Sequence, residues 1–320
     1  MRRFLLTMAG LFLGWAAFAQ MMPDSTVQVV AYWQVGDKYS YQVEQSTSRI
    51  EGNDTTVVEK SAEILTFEVL EATDSTYRVL VSYDDFQHSD YARLRAHDAL
   101  EKAFGKTNLQ FITDSYGTYQ RMILPENLQE ENEAALEEYA REMCKERGLG
   151  EDAMETVKTI ARGLISPEAY SKAAEAEITP LLAFHGTRLD LKREYESSIQ
   201  QPTLIGEGTI PMTLRFWVDE NYTDSTSVVI RTYQEAEKGA LAPFIANMLG
   251  QMAQNVTSED VSEGINYISQ ADMTMEDFQV LEVHLDTGWP LFYSFNREVV
   301  TRLGDQEQRQ VVLKRVTMMD

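Results

Sequence analysis

Side chains able to carry out catalytic or metal chemistry are few and scattered in this chain of 320 residues. The four histidines are His88, His97, His185 and His284, and none stands at the close spacing of a metal-binding motif. His284 alternates with apolar strand residues, so we expect its side chain on the opposite, solvated face. The histidines are therefore interpreted as surface or structural residues, and we predict no metal and no cofactor.

Nucleophile and phosphate-binding motifs are also missing from the sequence. It contains no G-x-S-x-G elbow, and its single cysteine, Cys144, lies in an acidic helix without the base and positive surroundings that a reactive thiolate needs. Gly206-Glu207-Gly208 has the character of a loop between strands rather than a strand-to-helix phosphate loop. An enzyme is not indicated, although a hydrolase built around His88 or His185 stays open as a hypothesis.

The composition excludes several classes of protein. Hydrophobic residues make up 43% of the chain, which is enough for a packed core. Lys and Arg number 28 against 51 Asp and Glu, for a formal net charge of -23. Nucleic acid is not an expected partner, because phosphate binding requires positive charge. A single cysteine cannot form an internal disulfide, so stability must come from an ordinary core.

The N-terminus has the pattern of an export signal. Arg2 and Arg3 precede an apolar run over 4–18, and Ala17-Phe18-Ala19 matches the small-x-small cleavage pattern. We expect cleavage after Ala19 rather than a transmembrane anchor, because the apolar run is too short to span a bilayer comfortably. No cysteine follows for lipid attachment, and no later segment is predicted to cross a membrane. A periplasmic or secreted protein is therefore predicted.

A strand–turn–strand pattern occurs twice. Residues 65–83 and 214–233 align with one gap and share an Asp-Ser-Thr turn that begins at Asp74 and at Asp224. In both copies, apolar and polar residues alternate as in half-buried strands. We interpret the pattern as a duplication of an antiparallel unit, the alternative being two hairpins that are alike only in composition.

Helices are predicted after each hairpin and between the two halves. The first spans Ser89–Phe104 and the second Glu237–Gln254. The segment 125–184 is interpreted as a packed helical connector, with a movable lid as the alternative. The second helix carries an apolar stripe at helical spacing: Leu241, Phe244, Ile245, Met248, Leu249 and Met252.

Short motifs in the chain resemble those of a group of uncharacterised exported proteins, a domain of unknown function found mainly in Bacteroidota. They are the Gly36-Asp37-Lys38-Tyr39-Ser40-Tyr41 opening, the helical middle, the Gly186 restart and the Asp286-Thr287-Gly288 turn. The build is also similar to that of periplasmic lipoprotein carriers, in which helices cover a curved antiparallel sheet. The resemblance implies a fold and a compartment, and it carries no functional residue.

The sequence predicts an α+β fold. Two diverged antiparallel β-rich repeats, each a curved sheet with a covering helix, are joined by a helical segment. The expected divisions are a signal peptide over 1–19, a first repeat over 20–124, the connector over 125–184 and a second repeat over 185–320.

The leading functional hypothesis is an exported, non-enzymatic protein that binds a lipid or another hydrophobic molecule in a cavity between sheet and helix. The alternative is an envelope protein-interaction or structural module without a ligand cavity, in which the duplicated sheets present an edge or a face to a protein partner. The aromatic strand faces could also be only packed core. The candidate ligand contacts are Leu241, Phe244, Ile245, Met248, Leu249, Met252, Trp217 and Trp289.

Overall fold

One antiparallel sheet dominates the described part of the chain. A computed structural model describes residues 21–22, 25–52, 54–90, 94, 109–123, 128–146, 148, 150, 154–155, 157–158, 167–202, 208–252 and 268–319.

The strands are long, and several run for thirteen residues or more. They are β1 (Met21–Met22), β2 (Thr26–Gln28), β3 (Lys38–Glu51), β4 (Asp54–Ala72), β5 (Thr76–His88), β6 (Leu109–Asp114), β7 (Tyr119–Ile123), β8 (Arg188–Asp190), β9 (Glu194–Pro202), β10 (Thr209–Val218), β11 (Ser227–Ala236), β12 (Asp272–His284), β13 (Pro290–Leu303) and β14 (Gln306–Met318). The helices are α1 (Leu128–Glu146), α2 (Pro167–Ile178), a 3₁₀ turn (Thr179–Leu182) and α3 (Leu241–Met252).

The main sheet has eleven strands in the order β7-β6-β5-β4-β3-β14-β13-β12-β11-β10-β9, and a small sheet has the order β1-β2-β8. The last strand, β14, pairs with β3 from Arg309↔Ile50 to Met318↔Tyr41. This pairing joins both halves of the chain into one sheet. The predicted α+β class, with two sheets separated by a helical linker, is therefore wrong: the protein is mostly β.

Two five-strand meanders flank β14. Strands β3 to β7 and strands β9 to β13 lie in the same order, and because all pairings in the sheet are antiparallel, they also run in the same direction. The two Asp-Ser-Thr turns join β4 to β5 and β10 to β11, which are equivalent places in the two meanders. Duplication itself stays a prediction, as do the domain boundaries.

The predicted helices have different outcomes. Helix α3 lies within the range predicted for the second covering helix and begins at Leu241 rather than at Glu237, whereas 253–254 fall outside the described residues. Helices α1 and α2 lie in the predicted connector. The first covering helix, predicted over 89–104, falls almost wholly outside the described residues.

The N-terminal segment, residues 29–37 between β2 and β3, closes one end of the sheet, which we call the turn end. The backbone N–H of Ala31 donates to Tyr116 O (2.8 Å) in the β6–β7 turn, and that of Tyr32 donates to Thr287 O (3.1 Å) in the β12–β13 turn. These turns are six strands apart in the sheet order. In a flat sheet they would be separated by roughly 30 Å, so the sheet must curl around the segment.

The curl gives the sheet a concave face that is filled at the turn end by large side chains. Trp33 of the N-terminal segment stacks on Trp289 with ring centroids 4.3 Å apart. Trp289 also stacks on Phe67 of β4, at 6.0 Å. The main core therefore contains residues from both meanders and from the N-terminal segment.

Gly288 is the position where this closure is most sensitive to a side chain. Its φ is +75°, and a Cβ there would overlap Val30 O. We expect Gly288→Ala to cost about 1 kcal/mol for the left-handed backbone and a further 1–3 kcal/mol or so for overpacking. Urea unfolding would measure both terms together.

Gly304→Ala is the matched control, because its φ is +58° and no atom lies within 4 Å of the added Cβ. It should cost only about 1 kcal/mol. Equal losses for the two variants would contradict tight closure at Gly288.

Candidate functional site

The concave face of the sheet is the candidate site. Along each strand, alternate residues point to opposite faces, so cross-strand pairing defines rows of side chains on one face. One such row is largely apolar and belongs to the main core: Val218, Ile230, Leu281, Tyr293, Val316 and Val43. The rows farther from the turn end contain polar side chains and a second apolar cluster.

A second apolar cluster lies beneath helix α3, and we call it the helix cluster. Its buried members are Ile210, Met212, Ala236, Leu241 and Met275, and the partly buried side chains packed on them are Ile199, Phe244, Ile245, Met273 and Val299. The partly buried half of the cluster combines helix residues with residues of strands β9, β12 and β13. Helix α3 thus has an apolar floor that is not fully closed off from solvent.

A polar belt separates the helix cluster from the main core. It consists of two neighbouring cross-strand rows. The polar members of the first row are Thr232, Gln279, Lys314, Gln45 and Ser61. Those of the second row are Gln234, Asp277, Arg297, Thr47 and Glu59. Apolar side chains also occur in these rows, Phe216 and Phe295 in the first and Leu214 and Val312 in the second. The concave face therefore changes from apolar to polar and back to apolar along the strands.

The centre of the belt is a fork-shaped ion pair. Arg297 Nε and Nη2 donate to Asp277 Oδ1 and Oδ2, both at 2.7 Å. The Asp277 side chain is 2% exposed and that of Arg297 is 34% exposed. Asp277 raises the pKa of Arg297 above its ordinary value through this hydrogen bond, so the guanidinium is held charged and in one orientation.

A second charged group links helix α2 to the belt. Lys314 on β14 forms an ion pair with Glu177 near the end of α2. Glu63 on β4 lies close by, and burial, reinforced by the charge of Glu177, raises the pKa of its carboxyl above the ordinary value. Ala174 and Ile178 anchor the same helix in the main core.

Two of the histidines are held in place by hydrogen bonds, and Nδ1 of His185 is buried without a hydrogen-bond partner among the described residues. His88 Nδ1 accepts from Asp90 N–H at 2.9 Å, and its Nε2 lies 3.0 Å from Glu59 Oε1. His185 Nε2 donates to Gly288 O at 2.7 Å, and burial lowers the pKa of His185 to about 4. Both residues therefore serve structure in this arrangement.

The structure separates the residues predicted to contact a ligand. Leu241, Phe244 and Ile245 belong to the helix cluster. Trp289 is buried in the main core at the turn end, and Trp217 pairs with Arg231 on the opposite face from Phe216. Met248, Leu249 and Met252 belong to helix α3, but the structure does not describe their side chains.

Sequence reasoning missed Arg297 and Asp277. The available signal was their position: Asp277 falls in step with the inward residues Met275 and Leu281, where alternation predicts an apolar side chain. A charged residue at an inward position requires a partner, which the pairing of β12 with β13 supplies.

Within the described residues, no group of three or more His, Cys, Asp or Glu side chains is placed to hold a metal ion. No helix in that part of the chain is long and apolar enough to cross a membrane.

Comparisons with known proteins do not assign this chain to a family. No protein-family model matches the sequence, and no curated protein is similar to it. A lipovitellin structure described by its lipid–protein interactions is 10% identical, with a TM-score of 0.38 over 90% of this chain and 25% of that chain. This chain thus spans about a quarter of lipovitellin.

Two bacterial structures are still less similar. Ail, the attachment invasion locus protein of Yersinia pestis, is 5% identical with a TM-score of 0.14, over 89% of this chain and 100% of that chain. An outer membrane channel of Pseudomonas putida F1 is 7% identical with a TM-score of 0.19, over 91% of this chain and 98% of that chain. TM-scores this low establish neither a shared fold nor a shared function.

His185 makes stability depend on pH. Its pKa is about 4 when folded and about 6.5 when unfolded, so the unfolded chain binds more protons between these values. Stability should fall as pH drops through this window, by about 3 kcal/mol for this group. We expect His185→Gln to remove that loss, measured as the free energy of unfolding from pH 7 to pH 4 or so. Parallel pH profiles for the two proteins would contradict the assignment.

The Asp277–Arg297 pair should contribute far more to stability than an exposed pair. Arg297→Met leaves the buried Asp277 carboxylate without its partner, and we expect a loss of about 3 kcal/mol or more. Arg302→Met breaks the exposed Arg302–Glu307 pair (2.8 Å) and should cost less than about 1 kcal/mol. Denaturant unfolding compares them, and equal losses would show that the Asp277 carboxylate is solvated.

Proposed function

We propose that the protein is an exported, non-enzymatic binder of a lipid-like molecule, which lies on the concave face between helix α3 and the polar belt. The observation that carries this proposal is the helix cluster, where apolar side chains of helix and sheet meet and remain partly exposed. Partly exposed apolar surface on a concave face is the usual setting for a small-molecule site.

The contrast between the two apolar regions supports the location. The main core is filled by stacked aromatic rings such as Trp33, Trp289 and Phe67, which are each at most 3% exposed. In the helix cluster Phe244, Ile245 and Val299 are only partly buried. Covering these side chains with an acyl chain would remove apolar surface from water and thus stabilise the complex.

Direct binding tests this function. The purified mature chain should raise the fluorescence of N-phenyl-1-naphthylamine, and organic extraction of protein isolated from its own host should release a lipid. Ile245→Gln places a polar amide in the helix cluster, and we expect it to weaken dye binding about tenfold.

Leu313→Gln provides the control, because Leu313 is an exposed apolar residue (41%) whose neighbours in the strand, Val312 and Lys314, belong to the concave face. It should leave dye affinity unchanged. No dye binding by the wild-type protein, or equal losses in both variants, would overturn the proposal.

Exposed apolar residues at the turn end favour a second candidate, an envelope protein-interaction module. Tyr32, Val35 and Tyr116 are 46%, 63% and 50% exposed. The backbone hydrogen bond from Ala31 to Tyr116 keeps the N-terminal segment next to the β6–β7 turn, so these side chains lie in the same region of the surface. Such a patch is typical of a protein contact. If dye binding is absent while Tyr32→Ser and Tyr116→Ser abolish capture of a specific envelope protein, the second candidate is preferred.

A further inference from the structure

Arg297 lies on strand β13, between the strand that helix α2 contacts and the strand that helix α3 contacts. Helix α2 reaches β14 through the Glu177–Lys314 pair, and helix α3 contacts β12. The Arg297 side chain is about one-third exposed, so a ligand on this face has access to it.

Hydrogen-bond donors are in excess at this point of the belt. The pair with Asp277 uses Nε and Nη2 of Arg297, which is only part of the guanidinium's donors. Gln279, on the same face, accepts from the Tyr293 hydroxyl at Oε1 (3.3 Å). Its amide nitrogen has no hydrogen-bond partner among the described residues. Both side chains can therefore donate to a ligand oxygen.

The cations at the belt are already paired with carboxylates of the protein. Arg297 is paired with Asp277, and Lys314 is paired with Glu177 beside a further carboxyl group, Glu63. A carboxylate or phosphate placed here would have no unpaired cation to meet, and burying it would be costly. A cationic group would equally lack an unpaired carboxylate at Arg297.

We propose that this site recognises the uncharged carbonyl head group of an amphiphile, an ester or an amide, through donors of Arg297 and Gln279. This inference rests on the proposed function. The apolar chain lies on the helix cluster, because Val299 follows Arg297 by two residues on the same face, a separation of roughly 7 Å. Met275 pairs with Val299 and continues the apolar floor.

Displacement of N-phenyl-1-naphthylamine by three ligands with the same chain tests the head group. The ligands are monododecanoylglycerol (neutral), dodecanoate (anionic at pH 8 or so) and dodecyltrimethylammonium (cationic). We expect the neutral ester to bind about tenfold more tightly than either charged ligand. An equal or higher affinity for a charged ligand would overturn the head-group assignment while leaving the proposed function intact. No displacement by any ligand would overturn both.

A double variant checks that Arg297 provides the donors. Asp277→Leu with Arg297→Met replaces the pair by apolar residues, a change that buried ion pairs often tolerate. A cooperative urea unfolding transition shows that the variant is folded, and the preference of the folded variant for the ester over the charged ligands should fall about tenfold. A preserved ester preference would overturn the assignment.

Arg215→Met is the matched control for this variant. The Arg297 guanidinium lies over the Phe295 ring, 5.3 Å from its centroid. Arg215 likewise lies over the Tyr233 ring, at 4.8 Å, and pairs with a carboxylate, Glu194. It alternates with Leu214 and Phe216, so it lies on the other face of the sheet. Its removal should leave the ester preference at the wild-type value, and a loss there would show that the effect does not arise at Arg297.

Discussion

Two backbone hydrogen bonds, from Ala31 to Tyr116 and from Tyr32 to Thr287, set the shape on which the rest of the molecule depends. Neighbouring residues of one extended segment reach two turns that a flat sheet would hold far apart. The sheet therefore curls, and one of its faces becomes an interior. His185 adds a third tie, because its ring donates to Gly288 O from the segment that follows helix α2.

The curl determines whether each inward-facing side chain is buried in the core or lies in the polar belt. Residues such as Leu281 and Tyr293 on neighbouring strands become part of a shared core, whereas the next rows along the strands carry charge. Desolvating a charge is costly, so each charged residue of the belt has a partner within hydrogen-bond reach. Asp277 shows the constraint most clearly, because it is buried and both of its oxygens accept from one guanidinium.

Local pattern was enough to predict antiparallel strands, the Asp-Ser-Thr turns and a helix around Leu241–Met252, because these depend on residues close in sequence. It was not enough for the fold class. The pairing of β14 with β3 joins residues such as Met318 and Tyr41, and no local period encodes such a contact. The ion pair of Asp277 and Arg297 was missed for the same reason, because whether these side chains are buried depends on which face of the sheet the curl turns inward.

The two ends of the concave face have different physical roles. At the turn end, Trp33 and Trp289 are buried and stacked, and the close approach of Gly288 to the Val30 backbone leaves no room for change. At the other end, Phe244 and Ile245 pack on the sheet without being fully buried. A rigid, filled end fixes the curvature and therefore the spacing of the strands that carry the polar belt. Binding of an amphiphile would then require adjustment only beneath helix α3, where the packing is already incomplete.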